Sequence, residues 1–250
     1  PFFISLAKRR MEEFHYLKQT DGFLLGVDEV GRGPLAGPVV TASVLIESPS
    51  LSAHIAHINE ALEGLKTLGI HDSKKLSARK HQKVLDQFPY DLKEMVSHRS
   101  YLLKEQNGWR MWLRIAQLEA FEIDRVNILQ ASLMGMRRSA LELHGDVFRE
   151  RKVGGEILID GHKEFSVDRP LRASAVVKGD QKSLLIGLAS IYAKQFRDAL
   201  MEDYAQKYPG YGFEEHAGYP TAKHREAIER LGPCAIHRRS FKGVREFCSS

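Results

Sequence analysis

Short apolar runs that end abruptly in acidic residues constrain this sequence more than any other feature. The runs have the length and composition of buried β-strands. They are 23–27, 156–159 and 173–178, and the acids that follow them are Asp28 and Glu29, Asp160 and Asp180. Burial disfavours the charged form of a carboxylate, so a half-buried acid at a strand end needs a compensating partner. A helix N-terminus, an arginine or a cation would each serve.

The four acids together favour a metal site. If the strands are neighbours in one sheet, their carboxylates converge and repel each other unless a divalent cation lies between them. Oxygen-only ligands suit Mg²⁺ or Mn²⁺ rather than zinc. Two such ions about 3.5–4 Å apart are a standard arrangement for hydrolysing a phosphodiester. Taken singly, each acid is as easily explained as a turn or capping residue.

Asp28 and Glu29 raise a geometric question because they are adjacent. Neighbouring side chains of an extended strand point to opposite faces. Both can reach one site only if the strand ends or bends there, and Gly31 and Gly33 make a bend easy.

The order of elements predicts an α/β fold in one catalytic domain with a C-terminal helical extension. Strands are expected over 23–27, 38–46, 92–98, 156–160 and 173–178, and helices over 3–17, 50–69, 77–88, 112–143, 182–208 and 221–231. We divide the chain into an N-terminal helix (1–22), a catalytic domain (23–208) and a C-terminal helical segment (209–250) that packs on the same domain.

Positive charge is concentrated in two stretches. The whole chain carries a net charge of +5, from 37 Lys and Arg against 32 Asp and Glu. Residues 66–83 alone carry an excess of five positive charges and the last thirty residues an excess of four. Lys74 and Lys75 precede a helix whose N-cap is predicted at Ser77, which together make a candidate phosphate site.

Several classes of protein are excluded. The only cysteines are Cys234 and Cys248, so a disulfide scaffold and a four-cysteine zinc site are not expected, and the composition suits a reducing cytoplasm. No apolar stretch approaches the length of a membrane span, and the N-terminus lacks the features of a signal peptide. No Ser/His/Asp or Cys/His pattern indicates covalent catalysis.

The loop Gly31-Arg32-Gly33-Pro34 is a candidate binding element. It has neither the glycine spacing of a dinucleotide-binding loop nor the Gly-Lys-Ser/Thr of a Walker loop, which binds nucleoside triphosphates. Its glycines allow the backbone to approach a ligand closely, and Arg32 is available for a phosphate. Tyr219, in a Gly- and Pro-rich turn, can stack on a base or sugar.

In order, these segments resemble type 2 ribonuclease H (ribonuclease HII). The matching segments are Gly26-Val-Asp-Glu-Val-Gly-Arg-Gly-Pro-Leu-Ala-Gly-Pro-Val39, Asp72-Ser-Lys-Lys-Leu76, Glu122-Ile-Asp-Arg-Val-Asn-Ile-Leu129, Leu158-Ile-Asp-Gly161, Val177-Lys-Gly-Asp180, Ala189-Ser-Ile-Tyr-Ala-Lys194, His216-Ala-Gly-Tyr-Pro-Thr221 and Arg238-Arg-Ser-Phe241.

The resemblance implies a ribonuclease H-like fold and an endonuclease that uses Mg²⁺ or Mn²⁺, with two ions during catalysis. Its substrates would be RNA–DNA hybrids and duplex DNA that contains single ribonucleotides, cut to 5′-phosphate and 3′-hydroxyl ends by a monomer. By resemblance, the catalytic and metal-binding residues are Asp28, Glu29, Asp160 and Asp180. Substrate binding falls to Gly31, Arg32, Gly33, Lys74, Lys75 and Tyr219, of which the glycine loop and Tyr219 read the 2′-OH. Asp198 is expected to be a structural acid or a partner on the face of its helix.

Two alternatives remain open on the sequence alone. A DNA-directed nuclease or integrase on the same fold would cut an all-DNA duplex, but it gives no reason for the glycine loop and Tyr219. A non-catalytic hybrid-binding module would bind without metal-dependent cleavage, and the mutual repulsion of four acids argues against it.

Overall fold

The computed structural model describes residues 12–17, 22–50, 52–70, 77–149 and 151–248. Within these ranges the elements are α1 (Glu12–Leu17), β1 (Phe23–Val30), β2 (Val39–Glu47), α2 (His54–Thr67), α3 (Ala78–Leu85), β3 (Ser100–Gln106), β4 (Trp109–Leu118), α4 (Ala120–Val126), α5 (Ile128–Phe148), β5 (Gly155–Asp160), β6 (Leu171–Val176), α6 (Gly179–Lys182), α7 (Leu184–Lys207), α8 (Phe213–His216) and α9 (Ala222–Leu231), with 3-10 helices at Leu92–Glu94 and Arg245–Phe247.

The strands form one mixed sheet in the order β3-β4-β2-β1-β5-β6. The pairs β1–β2, β2–β4 and β3–β4 are antiparallel, whereas β1–β5 and β5–β6 are parallel. Helix α5 packs on one face of the sheet and α7 on the other. The predicted α/β class, with a central mixed sheet flanked by helices, is therefore correct.

Residues 23–27 of the central strand β1 are apolar because both faces of the strand are covered by helices there. Phe23, Leu25 and Val27 belong to the core beneath α5, and Leu24 belongs to the core beneath α7. This alternation places Gly26 on the α7 side. A stretch of strand that is buried on both faces has no room for polar side chains. The acids of β1 therefore lie just beyond it, where the pairing with β5 has stopped.

Gly26 is needed where β1 meets the start of α7. A Cβ placed on Gly26 would lie 2.6 Å from Leu185 Cβ, too close for two carbons. We expect Gly26→Ala to destabilise the protein by about 1–3 kcal/mol, the usual range for overpacking a core. Gly64→Ala on the exposed side of α2 is the control, since nothing lies within 4 Å of a Cβ there; it should stabilise by about 0.5–1 kcal/mol. Urea unfolding of both variants measures the difference, and equal stabilities would contradict the packing argument.

Two predictions of secondary structure are wrong. The helix expected over 112–143 begins only at Ala120, because Trp109–Leu118 is strand β4, which pairs with both β2 and β3. The strand expected over 92–98 contains a 3-10 helix, and β3 starts at Ser100. Asn107 and Gly108, with φ of 45° and 84°, form the two-residue turn between β3 and β4. An Asn-Gly pair between alternating apolar residues is the hairpin signal that the sequence analysis missed.

The chain after α7 packs back onto α7 and the glycine loop. Phe213 and Ile236 share a small core with Ala36 and Met201, and Ala36 forms an isolated antiparallel bridge with His237. Residues 12–17 of the predicted N-terminal helix are helical, and residues 1–11 and 18–21 lie outside the described residues. Among the described helices, none combines the length and apolar character needed to cross a bilayer.

Candidate active site

Three carboxylates meet at the edge of the sheet where β1 and β5 end. One oxygen each of Asp28, Glu29 and Asp160 lies within 4.8 Å of the other two. The register explains the meeting, because the last parallel pair is Val27 with Ile159 and the next residues emerge side by side. Within the described ranges, this is the group of potential ligands that is close enough to share a metal ion.

Asp28 and Glu29 reach the same site although β1 does not end at Asp28. The strand continues to Val30 along β2, whereas its pairing with β5 stops at Val27. The backbone N–H of Glu29 donates to Asp28 Oδ1 at 2.7 Å, which holds the Asp28 carboxylate alongside the strand. The Ser190 side chain, on α7, also acts on Asp28 and opposes the rise in the pKa of its carboxyl; this neighbour was not predicted.

Asp180 lies in a short helix rather than at a strand end. Strand β6 stops at Val176, and Lys178 (φ 58°) turns the chain into α6. The backbone N–H of Gly179 donates to Asp160 Oδ1 at 2.7 Å, so the residue before Asp180 directly contacts one of the three clustered carboxylates. Asp180 is fully buried. It is not a member of the three-carboxylate group at the spacing given above.

Burial and mutual repulsion raise the proton affinity of this site. Loss of solvent raises the pKa of Asp28 well above its usual range, and the charges of Asp160 and Glu29 raise it further. Burial raises the pKa of Glu29 to about 7, against the opposing effect of the Arg32 guanidinium. Near neutral pH the three carboxylates therefore carry less negative charge than three fully ionised groups would. An added cation would stabilise their ionised forms.

The residues present fit a divalent ion. Glu29 Oε2 is buried and has no hydrogen-bond partner among the described residues. The donor set is made of carboxylate oxygens alone, which is the preference of Mg²⁺ and Mn²⁺. An ion would supply the counter-charge that the raised pKa values show to be missing.

The glycine loop adjoins the carboxylates. Arg32 Nη1 lies 3.2 Å from Glu29 Oε1, and about half of the Arg32 side chain is exposed. Gly33 is also exposed, and a Cβ on it would lie 3.6 Å from the Tyr219 ring. The structure thus brings Gly33 and Tyr219 together beside Arg32, at the rim of the acidic site.

Two buried arginines support this loop, and the sequence analysis assigned them no role. Arg238 donates to the carbonyl oxygens of Gly31, Arg32 and Gly37. Arg197 donates to the carbonyl oxygens of Ala36, Pro38 and Ala217. Both side chains are almost completely buried. Arg238 contributes to the positive charge of the last thirty residues, but its guanidinium is buried and bound to the loop rather than exposed to solvent.

Lys74 and Lys75 lie outside the described residues, and their placement stays a prediction. The chain on one side of them is close to the site: a Cβ on Gly187 would lie 3.0 Å from Ile70 Cγ2 and 3.3 Å from the Asp180 carbonyl oxygen. On the other side, Ser77 occupies the N-cap of α3 as predicted, but its side chain makes no capping hydrogen bond. Asp198 pairs with Lys194 on the surface of α7.

Comparison with known proteins gives a consistent result. The sequence model of the family described as Ribonuclease HII matches residues 25–244. A curated ribonuclease HII of Zymomonas mobilis is 39% identical over 241 residues, which cover 96% of this chain and 94% of the relative.

Solved structures show the same fold at lower identity. A ribonuclease H2 from Pyrococcus horikoshii superposes with a TM-score of 0.57 at 22% identity, over 90% of this chain and 96% of the other. Bst-RNase HIII, solved in complex with Mn²⁺, superposes with a TM-score of 0.62 at 15% identity, over 92% of this chain and 70% of the other. The ribonuclease H-like fold expected from the resemblance is thereby confirmed.

Proposed function

Since the chain belongs to the ribonuclease HII family, we propose that it cuts the RNA strand of RNA–DNA hybrids and incises 5′ of single ribonucleotides in duplex DNA. Membership confirms the resemblance stated above, and it makes the chain an endoribonuclease, which hydrolyses phosphodiesters. The incision of embedded ribonucleotides would serve the repair of DNA that contains them.

The observation that carries the proposal is the direct contact between the acidic site and the glycine loop. Arg32, in that loop, pairs with Glu29, and Tyr219 lies against Gly33. A nuclease for ribonucleotides must recognise the 2′-OH close to the bond that it cuts, because this hydroxyl distinguishes RNA from DNA. The backbone of Gly31 and Gly33 and the Tyr219 ring would bind that hydroxyl, and Arg32, Lys74 and Lys75 would bind phosphates.

Asp28, Glu29, Asp160 and Asp180 are proposed to hold two divalent ions, Mg²⁺ or Mn²⁺. When bound, the ions lower the pKa of an attacking water and stabilise the leaving oxygen. Asp28 and Asp160 would face the water side, and Asp28, Glu29 and Asp180 the side of the leaving 3′-oxygen. Water adds to phosphorus as the bond to the 3′-oxygen breaks, which leaves a 5′-phosphate and a 3′-hydroxyl. The Gly179 N–H keeps Asp160 in position, and the Glu29 N–H does the same for Asp28.

The test is cleavage of three end-labelled duplexes: an RNA–DNA hybrid, DNA with one ribonucleotide, and all-DNA. We expect cutting of the first two in Mg²⁺ or Mn²⁺ and none of the third, with EDTA abolishing both reactions. Cutting of all-DNA would favour a DNA-directed nuclease on the same fold. Binding without metal-dependent cutting would favour a non-catalytic module.

Metal ions should stabilise the protein more at pH 8 than at pH 5.5. Folding raises the pKa of Glu29 from 4.5 to about 7, so the folded site binds a proton that the unfolded chain releases between these values. The stability from that proton is fully present below pH 4.5 and is lost as the pH rises through about 7. Ions compete with the proton at low pH and replace it at high pH.

Thermal unfolding with and without Mn²⁺ at the two pH values measures this effect. Glu29→Gln carries no titrating carboxyl at this position, so the pH dependence of the Mn²⁺-induced shift in Tm should be smaller. An equal shift at both pH values in the parent protein would contradict the assignment.

We further propose that the protein acts as a monomer in the cytoplasm. Cys234 and Cys248 are both free thiols, which supports a reducing compartment. The division into an N-terminal helix, a catalytic domain (23–208) and a C-terminal substrate-binding segment (209–250) remains part of this proposal.

A further inference from the structure

Three histidines surround the loop that carries Tyr219. His216 and His224 stack with ring centroids 4.5 Å apart, and His224 Nε2 lies 3.1 Å from His237 Nε2. His224 and His237 are almost inaccessible to solvent, and His216 is buried. They lie beside the acidic site's rim rather than in it, and the mechanism above does not use them.

The hydrogen bonds of these rings allow one arrangement of protons. His224 Nδ1 lies 2.9 Å from the Tyr219 carbonyl oxygen, which can only accept, so Nδ1 carries the hydrogen. His224 Nε2 of the neutral ring is then an acceptor, and His237 Nε2 must donate to it. His237 Nδ1 is left as an acceptor, and the Cys234 backbone N–H donates to it at 2.9 Å.

The result is a chain of hydrogen bonds in which each group donates to the next. It runs from the Cys234 N–H through His237 and His224 to the Tyr219 carbonyl. Adding a proton to either ring would place two N–H groups against each other, so both rings stay neutral. Burial lowers the pKa of both His224 and His237 to about 4, in agreement with this reading.

The same loop is held by further hydrogen bonds, and the Tyr219 carbonyl oxygen also accepts from the Thr221 N–H at 2.8 Å. His216 Nε2 donates to the Tyr211 carbonyl oxygen, and its Nδ1 accepts from the Gly218 N–H at 3.2 Å. The Leu35 N–H, directly after the glycine loop, donates to the Gly218 carbonyl oxygen at 2.8 Å. This bond joins the loop that carries Tyr219 to the end of the glycine loop. The Tyr219 backbone is therefore held in place although its ring is 42% exposed.

We propose that His224 and His237 are positioning residues that hold Tyr219 against Gly33, where the 2′-OH is read. They touch neither substrate nor ions; they act through the Tyr219 carbonyl. The inference rests on the proposed function, since a fixed Tyr219 matters only if that residue recognises the ribose. A hydrogen-bonded anchor suits this task, because an exposed aromatic side chain on a loop is otherwise free to change its distance to the substrate.

Two replacements of His224 each preserve one of the two hydrogen bonds that its ring makes. Asn places an amide N–H near the position of Nδ1 and keeps the bond to the Tyr219 carbonyl. Gln reaches the position of Nε2 and keeps only the contact with His237. We expect His224→Asn to retain kcat/KM on the single-ribonucleotide duplex within about 3-fold, and His224→Gln to lose about 10-fold, mainly through KM.

The same replacements in a Tyr219→Ala background distinguish positioning from general structural support. If His224 acts through Tyr219, His224→Gln has no further effect on kcat/KM once the ring is gone. An undiminished 10-fold loss in that background, or equal activities of the Asn and Gln variants, would overturn the proposal.

The tautomers of the histidines can be measured on the parent protein, so this test does not depend on the folding of a variant. Long-range ¹H–¹⁵N spectra report which imidazole nitrogen carries hydrogen. We expect His224 with hydrogen on Nδ1 and His237 with hydrogen on Nε2, both neutral at pH 6. The opposite tautomers, or a charged ring at that pH, would overturn the hydrogen-bond chain. Absence of any ribonucleotide-directed cleavage by the parent protein would instead refute the proposed function and leave the spectra unaffected.

Discussion

Asp28→Asn should lower kcat/KM on ribonucleotide-containing duplexes by about 10³-fold or more, while raising the Tm of the metal-free protein at pH 8. The activity falls because Asp28 is proposed to contact both ions, and an amide carries no charge to hold them. The stability rises because the wild-type carboxylate is buried beside two other acids, which is why its pKa is raised. Replacing it by a neutral group of the same shape removes that repulsion.

Single-turnover cleavage and thermal unfolding in EDTA measure the two effects. Asp160→Asn should lose activity to a similar extent. Asp203→Asn is the matched control, because Asp203 is an exposed acid on α7 outside the carboxylate group; its activity should remain within about 2-fold. If Asp28→Asn cut as well as the parent protein, the assigned site would be wrong.

Arg238→Met should destabilise the protein by about 3–5 kcal/mol. The substitution leaves the carbonyls of Gly31, Arg32 and Gly37 without their donors in a buried setting, and each unsatisfied group costs about 1–3 kcal/mol, part of which relaxation recovers. Arg238→Lys keeps the charge but cannot reproduce the planar fork of donors, so we expect it to recover only part of the loss.

Arg239→Met is the control for this experiment. Its side chain is exposed, and its structural contact is made by the backbone N–H, which donates to Asp124. Denaturant unfolding should find it within about 0.5 kcal/mol of the parent protein. Equal midpoints for the two Met variants would show that the loop does not depend on the buried guanidinium.

The parts of the fold that could be predicted are those with a local cause. Strands β1 and β5 are read correctly because burial on both faces makes them continuous apolar runs. Strand β4 is not, because Trp112 breaks the alternation that Arg110 and Arg114 would otherwise keep, and one of the two strands that pair with it, β2, is distant in sequence. The sequence does contain the Asn107-Gly108 turn that would have corrected the reading.

The candidate site divides in the same way. Asp28 and Asp160 were singled out because a carboxylate directly after an apolar run is unusual, whatever fold the run belongs to. Arg238 could not be recognised as a buried residue, because it lies in a basic run and its partners are more than 200 residues away in sequence. Whether an arginine faces solvent or carbonyls is decided by tertiary contacts, which a local pattern does not record.

The separation of these partners along the chain also sets an order of assembly. Strands β1 and β2 are adjacent and can pair early, whereas the segment between them receives hydrogen bonds from Arg197 and Arg238, which are separated from it by 159 residues or more. Contacts of such long sequence separation form late in folding. On a ribosome, Arg238 is synthesised after all six strands of the sheet. The surface proposed to select the substrate is therefore completed last, so a nascent chain can form its acidic centre before it has the surface proposed to bind a ribonucleotide.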